Sequence, residues 1–250
     1  MANTEKRKFS VREIRQDFPA LRQTIYGKNL IYFDNGATSQ KPQLVLDAIN
    51  QYYSKNNANI HRGVHFMSQQ ATSEYETSRR YIQQYLNAEK SEEIIFTKGT
   101  TDGINLVAYS FGQLLSAGDE ILISAMEHHS NIVPWQLLRA RSGIEIDMIP
   151  VTEDGRIDLA QLPRLLTPKT KLVSLAHVSN VTGALLDVRA VVAAAQSVGA
   201  RVMLDGAQRA PHGPLDLPSL GIDFYVFAGH KAYGPNGIGI LWGKPELLDA

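Results

Sequence analysis

Residues 224–243 read "FYVFAGHKAYGPNGIGILWG": an apolar run, a polar break at His230 and Lys231, and a glycine-rich run that leads into a second apolar stretch. Short apolar runs like the first recur upstream, each followed by a helical pattern. From residue 93 they are "EIIFT" then "TDGINLVAYSFGQLL", "EILISA" then "NIVPWQLLRAR", and "IEIDMIPV" then "LAQLPRLL". "KLVSLAHV", "VRAVVAAAQSVG", "RVMLD" and "FYVFAG" continue the series. Strands that alternate with helices, several apolar along their whole length, predict an α/β fold with a mostly parallel sheet and helices on both faces. An α+β layout is the alternative. The glycines of "GPNGIGI" have the wrong spacing for a dinucleotide fingerprint and precede a strand, so they read as a turn.

The 250 residues are 44% apolar and 20% charged, enough to bury a sizeable core within one large domain. Twenty-five basic and 25 acidic residues cancel, which removes the electrostatic case for nucleic acid or an anionic membrane and leaves a small-molecule partner. With no cysteine, these residues contain no disulfide, thiolate metal site or cysteine nucleophile. The charged start, "MANTEKRKFSVREIRQDF", lacks the apolar core of a signal peptide, and no apolar run has membrane-spanning length. The expected location is cytoplasmic, and the glycosylation-like triplet at Asn180–Thr182 reads as coincidence.

An N-terminal helical segment is expected over residues 1–24. In "SVREIRQDF", Ser10 and Glu13 have capping-box spacing, Val11, Ile14 and Phe18 recur at helical intervals, and Pro19 closes the helix. "NLIYFDNGATSQKP" reads as a short strand into a turn, and "PQLVLDAINQYYSK" as a helix with Pro42 in its first turn. The main domain is placed at 25–250. No repeat or linker divides the chain. It stops at "GKPELLDA", which reads as the start of a helix: either the domain ends there or a C-terminal part is missing.

In a parallel α/β sheet, ligands bind beyond the carboxyl ends of the strands. Here those positions are polar: "KGTTDGIN", "MEHHSN", "SNVTG", "DGAQ" and "AGHK". Each has a plain structural reading. Threonines after a glycine cap helices, though the helix N-terminus also offers N–H groups to a phosphate. His128 and His129 would face opposite ways on a strand, and Asp205 would cap the next turn. Lys231 is either a surface charge or an amine whose pKa burial lowers enough for Schiff-base chemistry. A metal site from His61, His65 and His128 lacks ligand spacing, so no metal is expected. No G-x-S-x-G, H-E-x-x-H or P-loop pattern occurs. Taken together, these segments ask for one ligand with a phosphate, a ring with a basic nitrogen and an aldehyde. Pyridoxal 5'-phosphate has all three, with Asp205 for the nitrogen and Lys231 for the aldehyde.

"GTTDGINLVA", "EHHSNIVPWQ", "HVSNVTG", "DGAQ" and "DFYVFAGHKAYGPNGIGILWG", in this order, resemble the class V aminotransferase-related, fold-type I pyridoxal phosphate enzymes. Within them the sequence is most similar to the group II (SufS/CsdA-type) cysteine desulfurases, from "DFPAL" to the last residue. The resemblance implies the large domain of that fold, with the small C-terminal domain missing. It implies that Lys231 holds the cofactor and shuttles the substrate Cα proton, while Asp205 pairs with the ring nitrogen and Gln208 with the ring hydroxyl. His128 would stack on the ring and serve as acid or base near the substrate thiol. Thr100, Thr101 and His230 would hold the phosphate. Asn35, Ala37 and Asn180 would lie near substrate or ring, and His61 and Arg62 would line the entrance.

Two departures accompany the resemblance. The family has serine where this chain has Ala228, which removes a phosphate donor and ~1 kcal/mol of binding. It also has, near its C-terminus, a cysteine that takes the substrate sulfur as a persulfide and an arginine for the substrate carboxylate; this chain ends before either. The implied reaction is conversion of L-cysteine to L-alanine, with L-selenocysteine as a second candidate. Sulfur would pass to an acceptor protein for iron–sulfur cluster assembly, and the enzyme would be a homodimer. A related class V aminotransferase or lyase shares the same cofactor site. A non-catalytic cofactor-binding fragment or scaffold is the reading from another class.

Overall fold

The strand runs form one sheet in the computed structural model, which describes residues 9–249. Of the N-terminal segment 1–24, residues 1–8 lie outside the described residues, as does Ala250. A small antiparallel hairpin comes first, β1 (Thr24–Ile25) with β2 (Lys28–Asn29). Its loop residues Tyr26 and Gly27 both have positive φ, the backbone that a tight two-residue hairpin needs. The large sheet comprises β3 (Ile94–Thr97), β4 (Glu120–Ser124), β5 (Glu145–Ile149), β6 (Thr170–Ala176), β7 (Arg201–Asp205), β8 (Phe224–Ala228) and β9 (Gly239–Gly243). Their order is β3-β9-β8-β7-β6-β4-β5, and β9 alone runs against its neighbours.

The helices are α1 (Val11–Gln16), α2 (Gln43–Gln51), α3 (Phe66–Leu86), α4 (Thr100–Ser110), α5 (Val133–Ser142), α6 (Leu162–Leu165), α7 (Val188–Ser197), α8 (Leu217–Leu220) and α9 (Pro245–Leu248). None among the described residues is long and apolar enough to cross a membrane. Period-two alternation sends neighbouring strand residues to opposite faces. Val202 and Leu204 of β7 join a core with Val188, Val191 and Ala195 of α7, while Met203 between them joins a second core with Ile104 and Val107 of α4 and Trp135 of α5. Each large side chain so buried contributes roughly 1.5–3 kcal/mol. Both faces are therefore covered, which is why β8 is apolar throughout.

Two N-terminal expectations are corrected. Ser10 caps α1 by accepting the Glu13 N–H, but the helix ends at Gln16, before Phe18. The strand expected in "NLIYFDNGATSQKP" reduces to Lys28–Asn29. Leu30 to Asp34 has no regular structure, because β1 offers only two residues to pair with and Ile31 and Phe33 point outward. The 21-residue α3 had no counterpart in the sequence reading.

Candidate active site

β6 leads on toward β7 while β4 leads outward to β5, so connections leave in opposite directions where β4 and β6 pair. Crevices at such a reversal collect ligands at the carboxyl edge of the sheet. Here that edge carries a cavity of about 1280 Å³. It is lined by Lys98–Asp102 after β3, His128 and Ser130 after β4, Asn180 after β6, Asp205 and Gln208 at the end of β7, and His230 and Lys231 after β8. Asp34, Gly36, Ala37 and Thr38 close one side, and Asn236 and Gly237 of the glycine-rich turn another. That turn has a packing reason too: a Cβ at Gly239 would lie 2.5 Å from the Gly99 Cα, so β9 can pass this close to the start of α4 only as glycine.

Asp205 ends β7 and is buried. Burial pushes its carboxyl upward, opposed by the Ala207 N–H, which donates to Oδ1 at 2.9 Å, and by the Lys231 and His128 charges. Lys231 ends the short turn Gly229–Lys231, and burial lowers its amine while the Asp205 carboxylate opposes the shift. A half-buried amine so shifted is closer to a nucleophile than a surface lysine is. Burial also lowers His230, reinforced by the Lys231 and Lys41 charges.

Thr100, which lines the same cavity, opens α4. Its buried Oγ1 has no hydrogen-bond partner among the described residues. The first N–H groups of a helix also lack intrahelical acceptors and carry partial positive charge. An orphaned hydroxyl, a helix start, Thr101 and His230 make a donor set for a phosphate, and a carboxylate and an amine line the same cavity. The residues present therefore fit pyridoxal phosphate. Gln208 is anchored by donating from Nε2 to the Gly36 carbonyl at 2.8 Å, which ties "DGAQ" to "NGA".

Of the residues singled out by sequence, the cavity brings together Ala37, Thr100, Thr101, His128, Asn180, Asp205, Gln208, His230 and Lys231. Asn35 lies beside the lining residues Asp34 and Gly36 without lining the cavity itself. His61 and Arg62 are not brought to it. His61 Nε2 lies 2.9 Å from Glu76 Oε1 and its ring packs edge-on against Tyr75, while Arg62 is exposed. His128 and His129 are not on a strand: His128 precedes a short turn over His129–Asn131.

The sequence reading passed over Lys98, Asn105, Ser130 and Asn236, which also line the cavity, and Glu127 beneath it. Glu127 accepts from Ser124 Oγ at 2.5 Å and from Asn131 Nδ2 at 2.7 Å; Asn131 in turn accepts from Ser174 and Trp135. Burial raises its carboxyl to about 7, against those hydrogen bonds. The available signal was a polar residue directly after a buried strand, in a segment where the histidines drew attention.

A mostly parallel sheet with a lysine, a buried carboxylate and an anion-ready helix start at its carboxyl edge is an α/β scaffold whose site fits pyridoxal phosphate. The chain belongs to the aminotransferase class-V family, whose model matches residues 31–250. It is 50% identical over 238 residues to a probable cysteine desulfurase of Vibrio cholerae, covering 95% of this chain and 59% of that protein. Among solved structures it is similar to the cysteine desulfurase CsdA of Escherichia coli, with a TM-score of 0.86 and 41% identity over 96% of this chain and 59% of the other. A mutant C-DES with glycine covalently linked to its pyridoxal phosphate cofactor matches with a TM-score of 0.78 and 30% identity, over 94% of this chain and 60% of that one. The chain thus spans about three-fifths of the length of these relatives.

Proposed function

We propose that the chain forms the cofactor-holding part of a pyridoxal phosphate-dependent cysteine desulfurase that converts L-cysteine to L-alanine. The observation that carries the reading is the placement of Lys231, Asp205 and the unpartnered Thr100 hydroxyl around one cavity. Bound there, pyridoxal phosphate supplies an electron-withdrawing ring that acidifies the substrate Cα–H. Lys231 holds the cofactor and moves the Cα proton. Asp205 would keep the ring nitrogen protonated, and Gln208 would bond the ring hydroxyl. Thr100, Thr101 and His230 hold the phosphate. His128 donates or accepts a proton at the substrate sulfur, Ala37 and Asn180 lie near the substrate or the ring, and Asn35 is assigned there by resemblance alone. His61 and Arg62 are assigned to the entrance by resemblance alone.

The 250 residues contain no thiol, so a persulfide-forming cysteine has to come from outside them. A homodimer, a sulfur-acceptor protein, iron–sulfur cluster assembly and a cytoplasmic location belong to the same proposal. The test supplies the cofactor-loaded protein with L-cysteine and an excess of a small thiol, which takes the sulfur as a persulfide and releases it as sulfide when a second thiol closes the disulfide. Alanine and sulfide are expected in equal amounts; alanine no higher than with K231A sinks the reading.

A further inference from the structure

Lys41 is a half-buried lysine outside the cavity lining, and none of the ion pairs among the described residues includes it. Its ammonium donates to two backbone oxygens instead, those of Ser39 at 2.6 Å and His230 at 2.9 Å. The His230 carbonyl belongs to the peptide that joins His230 to Lys231. It is approached by three further donors: Ser39 N at 3.0 Å, Ser39 Oγ at 3.0 Å and Thr38 Oγ1 at 3.1 Å. Ser39 Oγ also accepts from the N–H of Tyr233, so the segment grips the turn on both sides of Lys231. Tyr233 itself has a φ of 63°, a left-handed backbone that a bulky side chain adopts only where its surroundings hold it.

A carbonyl oxygen has two lone pairs, so four donors compete for it and the charged one makes the strongest bond. Partial burial lowers the Lys41 pKa, while the two carbonyl contacts are made by the charged form. To hold and release a cofactor, the Lys231 side chain would have to move. A backbone that followed that movement would lose the near-attack geometry.

We propose that Lys41 is a positioning residue for Lys231: its ammonium pins the His230–Lys231 peptide so that the Lys231 amine meets the cofactor in a fixed geometry. The proposal rests on the cofactor reading of Lys231, and its test separates the two. Cofactor-free protein is mixed with pyridoxal phosphate, quenched with borohydride at timed intervals, and the modified fraction at residue 231 is followed by mass spectrometry. If the wild type is not modified at residue 231, the cofactor reading itself fails. K41C and K41M are each expected to capture the cofactor at residue 231 about tenfold more slowly than wild type, with the melting temperature recording any loss of fold. Because the chain has no other cysteine, K41C can then be alkylated at one position with 2-bromoethylamine, which rebuilds an ammonium on a side chain of nearly the same length. Recovery of most of the wild-type rate is expected. Wild-type capture by K41M, or no recovery after alkylation, overturns the positioning role; a structural tether alone would shift the melting temperature and leave the capture rate of the folded fraction unchanged.

Discussion

The Nδ1 atom of His128 lies 2.6 Å from the Ser130 hydroxyl oxygen and accepts the Ser130 backbone N–H at 3.2 Å. A ring nitrogen that accepts an N–H carries no proton of its own, so this contact leaves Nε2 as the nitrogen that bears the ring proton. Ser130→Ala removes the hydroxyl contact and leaves the backbone one. Turnover is expected to fall about fivefold, the equivalent of one neutral hydrogen bond, with the cofactor Kd unchanged. Steady-state kinetics beside a cofactor titration checks this, and a weakened Kd with intact kcat would assign Ser130 to cofactor binding instead.

Lys231→Ala deletes the amine without touching either core. The visible absorbance that pyridoxal phosphate gains on linking to the protein should be absent, while circular dichroism stays as in the wild type. A variant with the wild-type spectrum would remove Lys231 from its role.

Ala228 lines the cavity at the end of β8 with its side chain buried, next to the donor set. Ala228→Ser adds a hydroxyl there. Cofactor affinity is expected to rise about fivefold, for ~1 kcal/mol from one added hydrogen bond. Equilibrium dialysis at fixed phosphate concentration measures it; unchanged or weaker binding means the hydroxyl finds no acceptor.

Glu127 gives a pH signature. Its carboxyl is raised from 4.5 to about 7 in the folded protein. The folded state therefore binds this proton more tightly than the unfolded state, so the contribution is full below 4.5 and is lost as pH rises through 7. Glu127→Gln, which cannot titrate, should gain on the wild type between about pH 5 and about pH 8, by up to about 3 kcal/mol. His177, lowered from 6.5 to about 4 by burial and the Arg209 charge, acts with the opposite sign, its contribution present above 6.5 and lost toward 4. Both proteins share His177, so it cancels in the difference. Urea unfolding at the two pH values decides; a difference that does not change with pH means Glu127 stays ionised.

Gly206, directly after Asp205, has no room for a side chain: a Cβ would lie 2.1 Å from Cζ of the buried Tyr225. Gly206→Ala should destabilise the fold by about 1–3 kcal/mol through overpacking and also weaken cofactor binding, since Asp205 directly precedes the displaced residue and Gln208 follows two positions on. Denaturation midpoints and the cofactor titration should move together.

The sheet was legible because most of its strands, β7, β8 and β9 above all, are apolar on both faces and stop at polar or glycine-rich segments. β8 and β7 could be read residue by residue, and Asp205 and Lys231 stand where those runs end. α3 was not legible, because within its 21 residues only Ser68, Ala71 and Leu86 are buried, too sparse a stripe to show a helical period. The missing strand near Ile31 and Phe33 has the composition of a strand but no partner, and pairing is not a local property. His61 and Arg62 were placed by resemblance and carry no local signal of their own. The state of Glu127 depends on burial and on Asp205, which neighbours it only in space.

The bond from Gln208 to Gly36 spans 172 positions of sequence, and the contacts of Thr38 and Ser39 with His230 span 192 and 191. Closing loops of that length is slow compared with pairing β6, β7 and β8, whose connections are short. The N-terminal side of the cavity is thus expected to form after the β6-β7-β8 part of the sheet, so that during folding the chain passes through a stage with a packed central sheet and an unfinished site. Cofactor capture then serves as a clock for the final step of folding, and an amino-terminal truncation that spares every core residue would still stop it.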